Sequence, residues 1–198
     1  MIEPTPLPSG GEGDQLPRRL LRISHVFADT VREIFEGRFL RESAPAPLSL
    51  SQVHLLKLID RNENNYFIGE IAKFLGVSAP AASKNADKLA RLGLLVRVTP
   101  ETDRRNTSLR ITPEGRTLVH NFESRRINGL KTVLERFRKE DLQQLTDLLE
   151  RFATTLIAME ENEEGACLRC GAIVEKKCPV QGVTGECPYE QARRAAQL

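Results

Sequence analysis

Four thiols lie within "CLRCGAIVEKKCPVQGVTGECP", at Cys167, Cys170, Cys178 and Cys187, and the 166 residues before them contain no cysteine. The spacing is C-x2-C-x7-C-x8-C, and such a concentration points to one shared ligand. Four thiolates complete a tetrahedral zinc site or hold an iron–sulfur cluster. Zinc knuckles pair two Cys-x-x-Cys turns, and only Cys167 and Cys170 make one. Cys178 and Cys187 are each followed by proline, as in the cysteine–proline step that closes a cluster-binding run, and a proline there removes an N–H and stiffens the loop. Gly171, Gly182 and Gly185 let the chain fold back so that amides face sulfur. The order of preference is therefore an iron–sulfur cluster, then zinc, then thiol redox chemistry. His25, His54 and His120 lie outside this segment, so ligation by the four cysteines is the expectation.

The remaining residues must supply whatever the thiols control. With 198 residues and 22.2 kDa, one ordinary domain and a small appendage are expected. No apolar run is long enough for a membrane span, and "MIEPTPLPSGGEGDQLP" lacks the basic patch and apolar core of a signal peptide, so a cytoplasmic protein with no membrane partner is expected. In that compartment clustered cysteines bind metal or do redox work and do not form structural disulfides. The net charge of +2 says little, but its distribution says more. Between Lys73 and Arg110 the bases Lys73, Lys84, Lys88, Arg91, Arg97, Arg104, Arg105 and Arg110 outnumber the acids Asp87, Glu101 and Asp103. A locally basic face on a nearly neutral chain suits a nucleic-acid contact. No nucleophile–base set, Gly-rich phosphate loop or carboxylate pair stands in a recognisable frame, which argues against an enzyme.

The elements that position those bases can be read from periodicity. Residues 1–16 are Pro- and Gly-rich and are expected to be a disordered tail. Leu20, Ile23, Phe27, Val31, Ile34 and Phe35 predict a long amphipathic helix to about Arg41, ended by "APAP" at 44–47. A second helix opens at Ser49, with Gln52 in the capping-box position and Val53, Leu56 and Ile59 facing inward. His54 on this helix is read as an ordinary surface or seam histidine. Ile68, Ile71, Ala72 and Leu75 make a short helix closed at Gly76, and Ser78 caps another running to about Leu92. Two short helices joined by a tight Gly-containing turn are a helix-turn-helix. On the second, Ala82, Ala86, Leu89 and Leu92 share one face; Ser83, Lys84, Asp87, Lys88 and Arg91 lie away from it. "LLVRVTP" and "TSLRIT" predict a hairpin with "ETDRRN" at its tip. There Asp103 can brace one of Arg104 and Arg105 and leave the other for a phosphate or a minor groove. Thr112 and Pro113 start the next helix, whose apolar stripe (Leu118, Phe122, Leu130, Val133, Leu134, Phe137) is interrupted near Arg125, Arg126 and Gly129. From about Lys139 to Glu161, Leu142, Leu145, Leu149, Phe152, Leu156 and Met159 form a coiled-coil seam, expected to serve a helical dimer interface.

The motifs "LGVSAPAASKNADKLARLGLLVR" and "TDRRNTSLRITPEG", with long helices on both flanks, resemble the multiple-antibiotic-resistance regulator (MarR) family over about residues 17–161. The resemblance implies a mainly α fold with a small β-wing, namely a winged helix-turn-helix flanked by dimerisation helices over residues 17–162, with a cysteine-rich loop segment at 163–198 as an addition. It implies a homodimer on a pseudo-palindromic double-stranded DNA operator. Ser78, Pro80, Ala81, Ser83 and Lys84 would face bases or backbone, Lys88 a phosphate, and Arg105 the minor groove, braced by Asp103 beside Arg104. The run of alanines stands where the family often has Thr and Arg, which bears on the operator sequence. Two regulatory readings stay open: a redox- or iron-responsive regulator in which a cluster in the tail alters dimer geometry, or a small-ligand-responsive repressor with structural zinc.

Overall fold

The computed structural model describes residues 15–61, 66–75, 77–98 and 108–159. The first described residues form one rod made of α1 (Gln15–Asp29), a π-helical turn (Thr30–Glu36) and α2 (Gly37–Ser43). Helix therefore starts at Gln15, inside the stretch expected to be a disordered tail, and residues 1–14 lie outside the described region. The rod ends where expected. Ala44 is extended (φ −91°, ψ 136°) because Pro45 excludes the helical conformation for the residue before it. The π-helical turn is not visible in the apolar spacing, which reads straight through it.

Helix α3 (Leu50–Arg61) carries the expected capping box. Ser49 N–H donates to Gln52 Oε1 (3.0 Å) and Gln52 N–H to Ser49 Oγ (3.3 Å). Val53, Leu56 and Ile59 are buried as expected, but so are Leu55, Leu58 and Lys57, so the helix is covered on nearly all sides. Strand β1 (Tyr66–Phe67) follows and runs directly into α4 (Ile68–Leu75). Glu70 accepts from the Phe67 N–H at 2.8 Å, the carboxylate half of a capping box whose other half Phe67, with no side-chain acceptor, does not supply. Helix α5 (Ala79–Arg91) opens on Ser78, whose Oγ accepts from Ala81 N–H at 3.4 Å, with Pro80 in its first turn. It closes on Gly93 in the left-handed region (φ +71°). Leu94 N–H donates to Leu89 O and Gly93 N–H to Ala90 O, the paired bonds of a Schellman ending, with the buried Leu89 and Leu94 at its apolar contact positions.

That ending delivers the chain into β2 (Leu95–Val98), which pairs antiparallel with β3 (Ser108–Ile111) in the register Leu95 to Ile111 and Val98 to Ser108. The hairpin is as expected. The third strand, β1, pairs on the far edge of β3, Tyr66 opposite Leu109, giving the order β1-β3-β2. Helix α6 (Pro113–Leu134) begins at Thr112, whose Oγ1 accepts from Gly115 N–H at 3.0 Å. A Cβ at Gly115 would strike the Leu94 carbonyl and Ile111, so glycine allows α6 to start against the wing. A Cβ at Gly129 would strike the Phe39 ring, so the break in the apolar stripe of α6 is the place where α2 packs.

The core of the winged-helix lobe unites α3, α4, α5, the sheet and the first half of α6 through Val53, Leu56, Tyr66, Ile71, Ala82, Ala86, Leu89, Leu109 and Phe122. Outside it the picture changes. Helix α1 and helix α7 (Lys139–Ile157) have no buried residue. Leu20, Ile23, Phe27, Val31 and Ile34 are exposed on the rod, Leu130 and Val133 at the end of α6, Phe137 in the turn after it, and Leu145, Leu149, Phe152 and Leu156 on α7. Helix α7 stops at Ile157, short of the expected Glu161, so Met159 lies beyond the helical seam. Among the described residues no helix is long and apolar enough to cross a membrane.

Candidate nucleic-acid interface

The inner face of α5 is held by Ala82, Ala86 and Leu89, each fully buried, and this turns the opposite face outward. Ser78, Ala79, Pro80, Lys84 and Arg91 are exposed; Ala81, Ser83, Asp87 and Lys88 are half-buried. Small residues at the helix start and a lysine one turn further on make a narrow, positively charged ridge that can approach a groove closely.

Three tethers from three different segments fix this ridge. Gln52, itself buried, donates through Nε2 to Asn85 Oδ1 at 3.0 Å, so the side chain that caps α3 also holds α5. Lys88 Nζ donates to the Pro47 carbonyl at 2.6 Å. An ammonium has three donors, so this bond leaves Lys88 two for a phosphate. From β2, Arg97 Nη2 donates to Asp87 Oδ1 at 2.6 Å and to Ser83 Oγ at 3.0 Å. None of these tethers is apparent from local sequence. The one signal for Arg97 was the lone acid, Asp87, on an otherwise basic helix face.

The sequence-derived residues Pro80, Ala81, Ser83, Lys84 and Lys88 thus share one helix, with Ser78 as its N-cap. Asp103, Arg104 and Arg105 fall between β2 and β3, outside the described residues, as do Gly76 and the four cysteines. Strands β2 and β3 leave α5 and enter α6 so that the hairpin stands beside the ridge, with Thr112 Oγ1 donating to Gly93 O at 2.7 Å to pin its base.

A second charged cluster joins the rod to the lobe. Lys57, with only 5% of its side chain exposed, pairs with Glu123 at 2.6 Å. Arg126 pairs with Glu123 at 2.7 Å and with Glu36 of the π-helical turn at 2.6 Å. Burial works against ionisation of Glu123, but its bond to Lys57 and the charges of Lys57 and Arg126 outweigh it and hold the carboxyl below the ordinary value. His54, on the same helix as Lys57, is pushed down by burial and secondarily by Lys57. Of the two ordinary places read from sequence, surface or seam, it occupies a seam, beside the charged cluster of Lys57, Glu123, Arg126 and Glu36.

Three short elements, a tight turn, a helix with a basic outer face and a paired β-ribbon define the class: a winged helix-turn-helix. The family model that matches is that of the MarR family, over residues 46–106, from the loop before α3 into the wing. The fold is also shared with solved structures. A MarR family protein from Bacillus stearothermophilus superposes with a TM-score of 0.61 at 18% identity, covering 74% of this chain and 99% of that one. FabT of Streptococcus pneumoniae, solved in complex with DNA, gives 0.60 at 20% identity over 73% of this chain and 99% of its own. YusO of Bacillus subtilis gives 0.58 at 19% identity, with coverage of 73% and 99%.

Proposed function

We propose that this chain is a sequence-specific, DNA-binding transcriptional regulator of the MarR type that acts as a homodimer and catalyses no reaction. The observation that carries the reading is the outward ridge of α5, small at its start, cationic at Lys84 and Arg91, and tethered by Gln52, Pro47 and Arg97. A surface lysine helix with no further role would not need three bracing contacts from three segments. The apolar residues left exposed along α1, the end of α6 and α7 support the dimer: helices that keep apolar faces uncovered on a lone chain suit an interaction surface. Two copies would place two α5 ridges on successive turns of one face of a duplex, which suits a pseudo-palindromic operator. Arg105 is assigned to the minor groove and Asp103 to its bracing; Arg104 flanks them. The test is a titration of labelled operator at several salt concentrations with the protein and its Lys84→Ala and Arg105→Ala variants. Steep salt dependence and weakened binding in both variants are expected; binding that neither variant changes would remove these assignments.

The four cysteines are assigned to an iron–sulfur cluster that makes the regulator responsive to redox state or iron. The donor set supports this: Cys167, Cys170, Cys178 and Cys187 supply four thiolates, and two carry the following proline. A bound cluster would supply one-electron and oxygen-sensitive chemistry; the protein's part is to hold it with thiolates close after the helix of the dimer face. Zinc in the same four thiolates, with a small organic ligand as the effector, is the second reading. Anaerobic purification followed by a visible spectrum and metal analysis separates them, because a cluster absorbs in the visible and zinc does not.

A further inference from the structure

Arg97 is attached to the recognition ridge more specifically than a surface ion pair requires. A single nitrogen, Nη2, serves Asp87 Oδ1 at 2.6 Å and Ser83 Oγ at 3.0 Å, one helical turn apart on α5. The arginine comes from β2, whose register with β3 is fixed by four paired positions, so its reach is set by the sheet and not by α5. Its side chain is about one-third exposed and that of Asp87 about half, so the group sits at the rim of the ridge.

The consequences follow from hydrogen-bond inventory. A serine hydroxyl has one proton and two lone pairs. When Ser83 Oγ accepts from a guanidinium, one lone pair is taken, and the charge of the donor polarises the hydroxyl so that its own proton becomes the better outward group. The acid Asp87, which would otherwise place a negative charge beside the phosphates, is neutralised by the same guanidinium. Base edges in the major groove differ in this respect: guanine shows two adjacent acceptors, whereas cytosine shows an amino donor.

We propose that Arg97 is a positioning residue for base readout: it holds Ser83 as an outward hydrogen-bond donor, so that the operator position facing Ser83 is read as an acceptor, with guanine preferred over cytosine. The proposal rests on the DNA-binding reading of α5 and adds to it the chemistry of one base contact. Arg97 touches no base itself, and because its charge is matched by Asp87 it makes no net contribution to phosphate neutralisation.

The test is selection of binding sequences from a pool of randomised duplexes with the full-length protein, its Ser83→Ala variant, the double variant Arg97→Ala/Asp87→Asn and the single variant Arg97→Lys, each followed by a salt titration on the wild-type consensus. The double variant keeps the net charge of the pair at zero. It should lose about tenfold discrimination at one position in each half-site, the scale of one good base contact. That position should be the one degraded by Ser83→Ala, and the salt slope should stay that of the wild type. Arg97→Lys keeps charge and fold but has no planar fork to serve both partners, and should degrade the same position. Unchanged preferences in both Arg97 variants would overturn the proposal while leaving DNA binding intact. So would a salt slope shallower by about 0.9 for each subunit in the double variant, since that marks a phosphate contact by Arg97. A wild-type protein that enriches no sequence would overturn the DNA-binding reading and this proposal with it.

Discussion

Arg126 donates to Glu36 at 2.6 Å across ninety residues of chain, tying the middle of α6 to the π-helical turn between α1 and α2. The bond sits where α6 passes from the buried Leu118, Val119 and Phe122 to the exposed Leu130 and Val133. It therefore marks the joint between the winged-helix lobe and the helices with unburied apolar faces. Through Glu123 it continues to Lys57 in α3, so a displacement of the rod has a direct charged path to the helix that holds Asn85 of α5.

Removing one member of this cluster should cost more than removing two. Glu123→Gln leaves Lys57 buried opposite a neutral amide, and the expected loss is about 2 to 3 kcal/mol, below the roughly 3 to 5 kcal/mol of a fully buried broken pair because Glu123 is partly exposed. Thermal melts should fall by roughly 5 to 10 °C. The double variant Lys57→Met/Glu123→Leu should recover most of that loss, and a double variant no better than the single would show that the pair is not coupled.

Acid should destabilise the fold in two windows. His54 binds a proton less readily in the folded chain than its ordinary value near 6.5, so below that pH the unfolded state takes up a proton that the folded state resists, and stability drops. Glu123 is depressed, so its contribution stands above the ordinary carboxylate value near 4.5 and is lost as pH falls through its lower folded value. Melting curves from pH 8 to pH 3 should show both steps, and His54→Gln should abolish the upper one alone. Identical profiles for the two proteins would contradict this assignment.

A charge at Leu149 or Phe152 should yield monomers, because both lie on the exposed apolar face of α7. Sedimentation of Leu149→Glu should give the mass of one chain, with operator binding lost because each half-site contact is weak alone. A wild-type monomer that still binds operator tightly would rule this out.

Features settled within a few residues were legible in the sequence. Ser49 with Gln52, Ser78 with Pro80, and Thr112 with Pro113 announce helix starts because their bonding partners are at most three positions away. The face of Ala82, Ala86 and Leu89 follows from helical period alone. What was not legible depends on distant partners. Two residues of β1 carry no periodic signal, and Tyr66 and Phe67 become a strand only because β3 offers an edge. Lys57 lies within α3 as a buried charge because Glu123 arrives from α6. Gly129, which reads as an interruption of a stripe, is the space occupied by Phe39. At the site, the ridge residues were legible from α5 itself, whereas Arg97 joins them only through the β2–β3 register.

If the tail holds a cluster, replacing any one of Cys167, Cys170, Cys178 or Cys187 by Ser should remove most of the bound metal and give one shared phenotype, a folded dimer with altered operator affinity. The expected match is wild type after oxidation or chelation. A modest fall in melting temperature with operator affinity intact in all four variants would favour the zinc reading.

The most direct test of the central claim, that a dimer presents the α5 ridge to a specific duplex, is fluorescence anisotropy of a selected operator against protein concentration over a range of salt, with Lys84→Ala alongside. Two chains per operator, affinity that falls steeply with salt, and a weaker complex with a shallower salt slope for Lys84→Ala are predicted. One chain per operator, or an affinity and slope that Lys84→Ala leaves unchanged, would contradict it.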